Sequence, residues 1–150
     1  MGLLNRIEEL EKELLELKEQ VKEQQELPQS GERYWYNNGG GMVNSCFWKS
    51  EQFDLNRYRI GNMFKTEKEA EFAVEKLKVE AELRKFGRMF ILGEENWYLN
   101  MIRSKDITIA YDHYNIHQGT VYFKSKDKVK EVIETIGEER IKKYIFGVED

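Results

Sequence analysis

Along its first stretch the chain places apolar residues at alternating intervals of four and three: Leu3, Ile7, Leu10, Leu14, Leu17 and Val21. That spacing predicts a helix with a heptad seam, Ile7, Leu14 and Val21 at a and Leu3, Leu10 and Leu17 at d. The seam is narrower than the stripe of a helix docked on a globular core, and docking on its own domain is the alternative reading. β-Branched residues at two of the three a positions, with Leu at every d, favour two parallel strands, although no polar residue at a central a position rules against a trimer or tetramer. In the parallel arrangement Arg6 faces Glu11 of the second helix and Glu13 faces Lys18. Exposed pairs of this kind contribute about 0–1 kcal/mol, so they bear on orientation more than on strength. Pro28, the only proline, sits in LPQSGE and ends the helix. The expected organisation is an oligomerisation helix over 1–27, a linker over 28–32 and a globular domain over 33–150.

The body changes period. GERYWYNNGGG reads as a strand and a turn, and MVNSCFWKS alternates as a second strand. EQFDLNRYRIGNMFKT is an irregular or partly helical connection that ends in a short strand around residues 58–64. Thr66 then caps a helix over about 67–86, with Glu67 and Glu69 in its first turn and Ala70, Ala73, Val74, Leu77, Ala81 and Phe86 as its buried stripe. ENWYLNMI, DITIAYDHY and TVYFKS are three further strands, and Ser125 caps the next helix as Thr66 caps the first. Gly137 breaks that helix, and EERIKKYIFGV supplies a last helical turn with an apolar tail.

FKTEKEAEFAVEKL and FKSKDKVKEVIETI are nearly the same helix start written twice, each downstream of an aromatic pair. Trp35 precedes Phe64 by 29 residues and Trp97 precedes Phe123 by 26. The pattern predicts an α+β fold, a mainly antiparallel sheet covered by helices, built from two pseudo-repeated β-β-β-α units at about 33–86 and 96–146.

Charge divides unevenly. Residues 1–28 hold four basic and eight acidic residues, which accounts for the net charge of −4, and the rest carries 20 of each sign. A neutral body argues against phosphate-dominated binding, so nucleic acid is not a favoured partner. The single cysteine, Cys46, excludes an intramolecular disulfide and fits a reducing compartment. MGLLNRIEELEKEL has neither a signal-peptide core nor a membrane-spanning run, so a cytoplasmic protein without membrane attachment is expected.

Few residues suggest chemistry. His113 and His117 stand four apart, a spacing that serves metal on a helix, but YDHYNIHQG follows an alternating strand and offers no third ligand. Gly39, Gly40 and Gly41 lack the Gly-Lys-Ser/Thr and helix of a phosphate loop, and no nucleophile occupies a Gly-rich elbow. We therefore expect no catalytic residue, no metal and no cofactor. The aromatics are the better candidates. Tyr34, Trp35, Tyr36, Trp48, Trp97 and Tyr98, with Arg57, Arg59 and Arg103 nearby, could stack a base, a nucleotide or a partner's side chains. Their structural alternative is packing under loops and between subunits.

GERYWY, the segment from Gln52 to Val79 and the closing IGEERIKKYIFGVED resemble a family of small proteins encoded by phages and prophages of Gram-positive bacteria. The resemblance covers most of residues 31–150. It implies a mobile-element origin and a bacterial host cytoplasm, and it transfers no functional residue. The resulting expectation is a non-enzymatic, homo-oligomeric binding protein, dimeric by preference, that inhibits a bacterial defence or host process by holding a protein or a nucleotide-like ligand. The alternatives are a nucleic-acid-binding replication or recombination accessory and a structural scaffold.

Overall fold

The computed structural model describes residues 2–149, with backbone alone at positions 24 and 25. Residues 1 and 150, which close the expected segments, lie outside the described residues. The elements run α1 (Leu3–Glu26), β1 (Arg33–Asn37), β2 (Val43–Phe47), α2 (Gln52–Arg59), α3 (Glu67–Phe86), β3 (Asn96–Met101), β4 (Ile107–Asp112), α4 (Lys126–Ile136) and α5 (Glu138–Tyr144). The fold class is α+β with a long N-terminal helix. At 1.5 Å per residue, α1 extends roughly 36 Å. It stops where Leu27, the residue before Pro28, is pushed into the extended region at φ −70° and ψ 148°.

The expected single sheet is two separate antiparallel hairpins. In the first, Arg33 pairs with Phe47 through to Asn37 with Val43; in the second, Asn96 pairs with Asp112 through to Met101 with Ile107. The anticipated third strands shrink to isolated bridges, Phe64 on Trp35 in the first unit and, in the second, Phe123 on Trp97 beside Tyr122 on Arg88. The reason is local: two residues after each phenylalanine an N-cap has already begun a helix. Thr66 accepts from the Glu69 amide and Ser125 from the Lys128 amide. Upstream of Phe64, the segment read as an irregular or partly helical connection is helical over α2, started by a reciprocal capping box between Glu51 and Asp54, and no strand runs from 58 to 63.

α3 departs from its expected stripe, because Leu77 is exposed while Val79 and Leu83 are buried. At about 100° per residue, Ala70 and Val74 lie roughly opposite Val79 and Leu83 on the helix. The second pair packs into the main core with Phe123, Val129, Val132, Ile136 and Ile141. The first pair is buried where α3 runs along β1 and β2. α3 thus changes partner midway and serves as the common wall of both halves. Gly137, at φ +98°, separates α4 from α5 in a backbone region that side-chain-bearing residues avoid, and the reversal brings Ile141 back into the core.

Candidate functional site

The first aromatic group is assembled around a buried Tyr34–Asp54–Arg57 relay. Strand alternation turns Tyr34 and Tyr36 to one face, 6.1 Å apart, and Trp35 to the other. The Tyr34 hydroxyl donates to Asp54 Oδ1 and accepts from Arg57 Nη1 at 2.8 Å. Asp54 Oδ2 accepts from the Lys49 and Glu51 amides, each at 3.1 Å. The Arg57 guanidinium lies 3.5 Å from the Tyr36 ring centre and 4.9 Å from that of Phe53. Burial first, and then the bond to Asp54, push the Tyr34 phenol well above its ordinary value. Burial alone would raise Asp54, but the hydrogen bonds from Tyr34 and the two amides outweigh it and hold the carboxyl below its usual range. Burial opposes the charge of Arg57 as well, and the Tyr34 bond together with the electrostatic pull of Tyr34, Tyr36 and Cys46 outweighs it.

Tyr34 and Trp48 are therefore interior residues, packed edge to face at 6.2 Å, and their ring faces are closed to a ligand. Trp35 and Tyr36 are half-buried, with the Arg33 guanidinium 5.0 Å over the Trp35 ring. Arg57 is spent on Tyr34 and Tyr36. Arg59 pairs with Glu23 of α1 at 3.6 Å, and beside it the Tyr58 hydroxyl donates to Glu26 at 3.0 Å. The bond to Glu26 raises Tyr58. A cleft of about 720 Å³ lies at this junction, lined by Glu26, Pro28, Arg33, Tyr58, Met63 and Lys65.

The second group is held by Asn96, one residue before Trp97 as Tyr34 is one before Trp35. Asn96 is buried. Its Oδ1 accepts from Arg88 Nη1 and the Ile91 amide, and its Nδ2 donates to the carbonyls of Ile91, Glu94 and Asp112, all within 2.8–3.0 Å. Trp97 stacks on Tyr111 at 4.8 Å and Tyr98 on His117 at the same distance. Burial, followed by Asp112 and Tyr122, raises the Tyr98 phenol. His117 Nε2 stands 2.8 Å from Asp112 Oδ2, and its amide donates to the Tyr122 hydroxyl at 2.5 Å. His113 instead packs beside Tyr111 and Tyr114, so the two histidines diverge. Among the described residues no three His, Cys, Asp or Glu side chains gather as a metal-holding group.

The structure does not bring the nine aromatic and arginine candidates together. Tyr34, Tyr36, Trp48 and Arg57 form one cluster, Trp97 and Tyr98 belong to the other hairpin, and Arg103 lies exposed in the turn after β3. Sequence reasoning passed over the loop at 87–95, which displays Met89, Ile91 and Leu92, and weighed the loop at 113–120 for its histidines rather than for the exposed Tyr114 and Ile116. The only mark of the first loop is an apolar run, MFIL, that has no period and sits between Gly87 and Gly93.

α1 exposes a further row of apolar side chains, and Met42, Phe47, Ile60, Leu77 and Ile102 are exposed singly elsewhere. All six seam residues are 47–86% exposed, whereas Glu23 and Glu26, which touch the body, fall at c and f positions away from the seam. Among the described residues no helix is long and apolar enough to cross a membrane. No protein-family model matches the chain, and neither a curated protein nor a solved structure does.

Proposed function

We propose that the chain is a non-enzymatic, homo-oligomeric binding protein of phage or prophage origin. It acts in the host cytoplasm by occupying a component of a defence system or other host process, either a protein or a nucleotide-like ligand. One observation carries the reading: the α1 seam is uncovered along its length while the body grips the helix from behind. Aliphatic side chains in that arrangement gain roughly 1.5–3 kcal/mol each when fully buried, so the seam favours a second copy of itself. A parallel pair sets Arg6 against Glu11 and Glu13 against Lys18, and it leaves both bodies outside the coil at the same end. Two identical binding surfaces then act together, which raises apparent affinity without new contacts.

The recurrence of hairpin, bridged phenylalanine and capped helix supports reading the body as two pseudo-repeated units, with α2 as an insertion in the first. A nucleic-acid role has less support, since the body is neutral and Arg57 and Arg59 are engaged within the chain.

Leu3→Cys in a Cys46→Ser background tests the coil. A disulfide needs its two Cα atoms within about 7 Å, which at a d position only a parallel, in-register pair supplies. Mild oxidation should yield a covalent dimer; a thiol that persists, as in an antiparallel pair or a monomer, would sink the arrangement. Turnover of a substrate that depends on His113 or His117 would sink the non-enzymatic reading.

A further inference from the structure

The turn that joins β1 to β2 contains NNGGGM, and Asn38 is the one asparagine in the chain that a glycine follows. An asparagine carboxamide carbon is an electrophile one ring closure away from the backbone nitrogen of the next residue. A side chain on that next residue crowds the closure, and Gly39 has none. Beyond its chain neighbours nothing stands within 4 Å of where a Cβ would be, and its φ is +85°. Both residues are exposed. The other asparagines are placed less favourably: Asn5 and Asn56 lie in helices, Asn37, Asn44, Asn96 and Asn100 in strands, and Asn62 and Asn115 precede the bulky Met63 and Ile116.

Hydrogen bonds in the turn set its reactivity. The Asn38 side chain folds over the Gly39 peptide, so that its Oδ1 accepts from the Gly40 amide at 2.8 Å. That amide is placed to hold the negative charge that develops on Oδ1 when Cγ is attacked. The attacking nitrogen, however, is occupied, since the Gly39 amide donates to Asn37 Oδ1 at 2.9 Å. Its proton must leave before it can attack, so this bond withholds the nucleophile. Asn37 is itself fixed, because the Asn62 carboxamide bonds its amide at 2.7 Å and its carbonyl at 2.8 Å. We propose that Asn38 is a slow self-modification site gated by the Asn37 carboxamide. Water or hydroxide removes the Gly39 amide proton and the nitrogen bonds to Asn38 Cγ. The Cγ–Nδ2 bond then breaks as Nδ2 takes a proton and leaves as ammonia. Water opens the resulting succinimide at either carbonyl to give aspartate or isoaspartate, so that the balance is one water in and one ammonia out. Either product sets a carboxylate on the turn, and isoaspartate lengthens its backbone by one carbon. Gly41 and Met42 of the same turn line a hollow of about 900 Å³ against Phe72 and Tyr144, so the conversion alters one wall of it.

Ageing the full-length protein in mildly alkaline buffer and mapping its peptides by mass spectrometry tests the proposal. Asn38 should gain about one dalton, as aspartate and isoaspartate told apart by fragmentation, ahead of every other asparagine and faster as pH rises. Gly39→Ala should slow the gain at least ~10-fold, because a methyl group crowds the ring closure. Asn37→Ala keeps the backbone bonds to Asn62 and frees the Gly39 amide, so conversion should quicken several-fold. Asn37→Asp retains an acceptor for that amide and should convert no faster than the parent. Thermal melts that match the parent keep these comparisons on folded protein, and the parent, Gly39→Ala and Asn37→Asp results decide the matter should Asn37→Ala melt early. Conversion at Asn38 no faster than at the other asparagines overturns the site. Equal rates in the parent and a folded Asn37→Ala variant, or a faster rate in Asn37→Asp, overturn the gate.

Discussion

Trp35 and Phe64 exchange both of their backbone hydrogen bonds, each at 2.9 Å, and so close a third strand that is one residue long. Trp97 and Phe123 exchange theirs at 3.2 and 2.8 Å, with the adjoining Tyr122 also bridged to Arg88. In each half the exchange fixes the point at which the chain leaves the hairpin, and the N-cap two residues later launches a helix back across it. The short pairing is sufficient because the capped helix satisfies the following amides that a longer strand would have paired. Phe123 is buried in the main core, whereas Phe64 is only half-buried. The second bridge therefore stands on the more closely packed foundation.

Packing around the second bridge makes Gly87 intolerant of a side chain. A Cβ there would overlap Val121 Cγ1 and stand 3.1 Å from the Tyr122 carbonyl, although its backbone, at φ −83°, would accept alanine. Gly87→Ala should lower stability by about 1–3 kcal/mol in a denaturant melt. Adding Val121→Ala should recover part of that loss by removing the overlapping methyl. If the single substitution proves neutral, the close approach of residues 87 and 121 is wrong.

The Tyr34–Asp54 bond gives stability a defined pH dependence. The folded pKa of Asp54 is depressed, so its contribution is present above the ordinary carboxylate value near 3.9 and is lost as pH falls through the lower folded value. The folded pKa of Tyr34 is raised, so stability begins to fall above the ordinary phenol value near 10, where the unfolded chain ionises and the folded one does not. Tyr34→Phe removes a donor from a buried carboxylate and an acceptor from Arg57, and it should cost about 1–3 kcal/mol at neutral pH. Thermal melts across pH should also show its alkaline limb flattened relative to the parent. An alkaline limb of equal slope would refute the assignment to Tyr34.

Much of the helical framework was legible because local chemistry dictates it. Pro28 stops α1, Thr66 and Ser125 start α3 and α4, and Gly137 divides α4 from α5. α2 was legible only as a partly helical connection, since QFDLNRYR has no apolar period and its start depends on the Glu51–Asp54 capping box. Nor was the face change in α3, which is set by two different packing partners. The site residues were least readable of all. Tyr34 meets Asp54 across 20 residues, so strand alternation could group the aromatics by face yet could not reveal that Arg57 and Asp54 would close over one of them. The exposed loops at 87–95 and 113–120 depend on Asn96 and His117, whose partners no periodicity encodes.

The seam of α1 predicts a separable oligomer. Leu10→Lys with Leu17→Lys places two charges at successive d positions, each a site where burial of leucine contributes roughly 1.5–3 kcal/mol. Sedimentation should find a monomer, and the body should melt at an unchanged temperature because α1 touches it through Glu23 and Glu26 rather than through the seam. An unaltered oligomer would mean that the copies associate elsewhere.

Asn96 provides the sharpest test of how the loop end is held. Its carboxamide makes five hydrogen bonds, and Asn96→Asp would keep an acceptor for the Ile91 amide and Arg88 while losing three donated bonds and burying a carboxylate. The Arg88 guanidinium can offset part of that charge, so the protein should fold with a loss of a few kcal/mol. Asn96→Ala leaves the Ile91 amide without its acceptor as well. Hydrogen exchange should therefore quicken at Ile91 more in the alanine variant than in the aspartate variant, with the amides of β3 and β4 less affected in both. Equal protection at Ile91 in parent and alanine variant would show that the loop is fixed by something other than Asn96, and its pre-set display of Leu92 would need another cause.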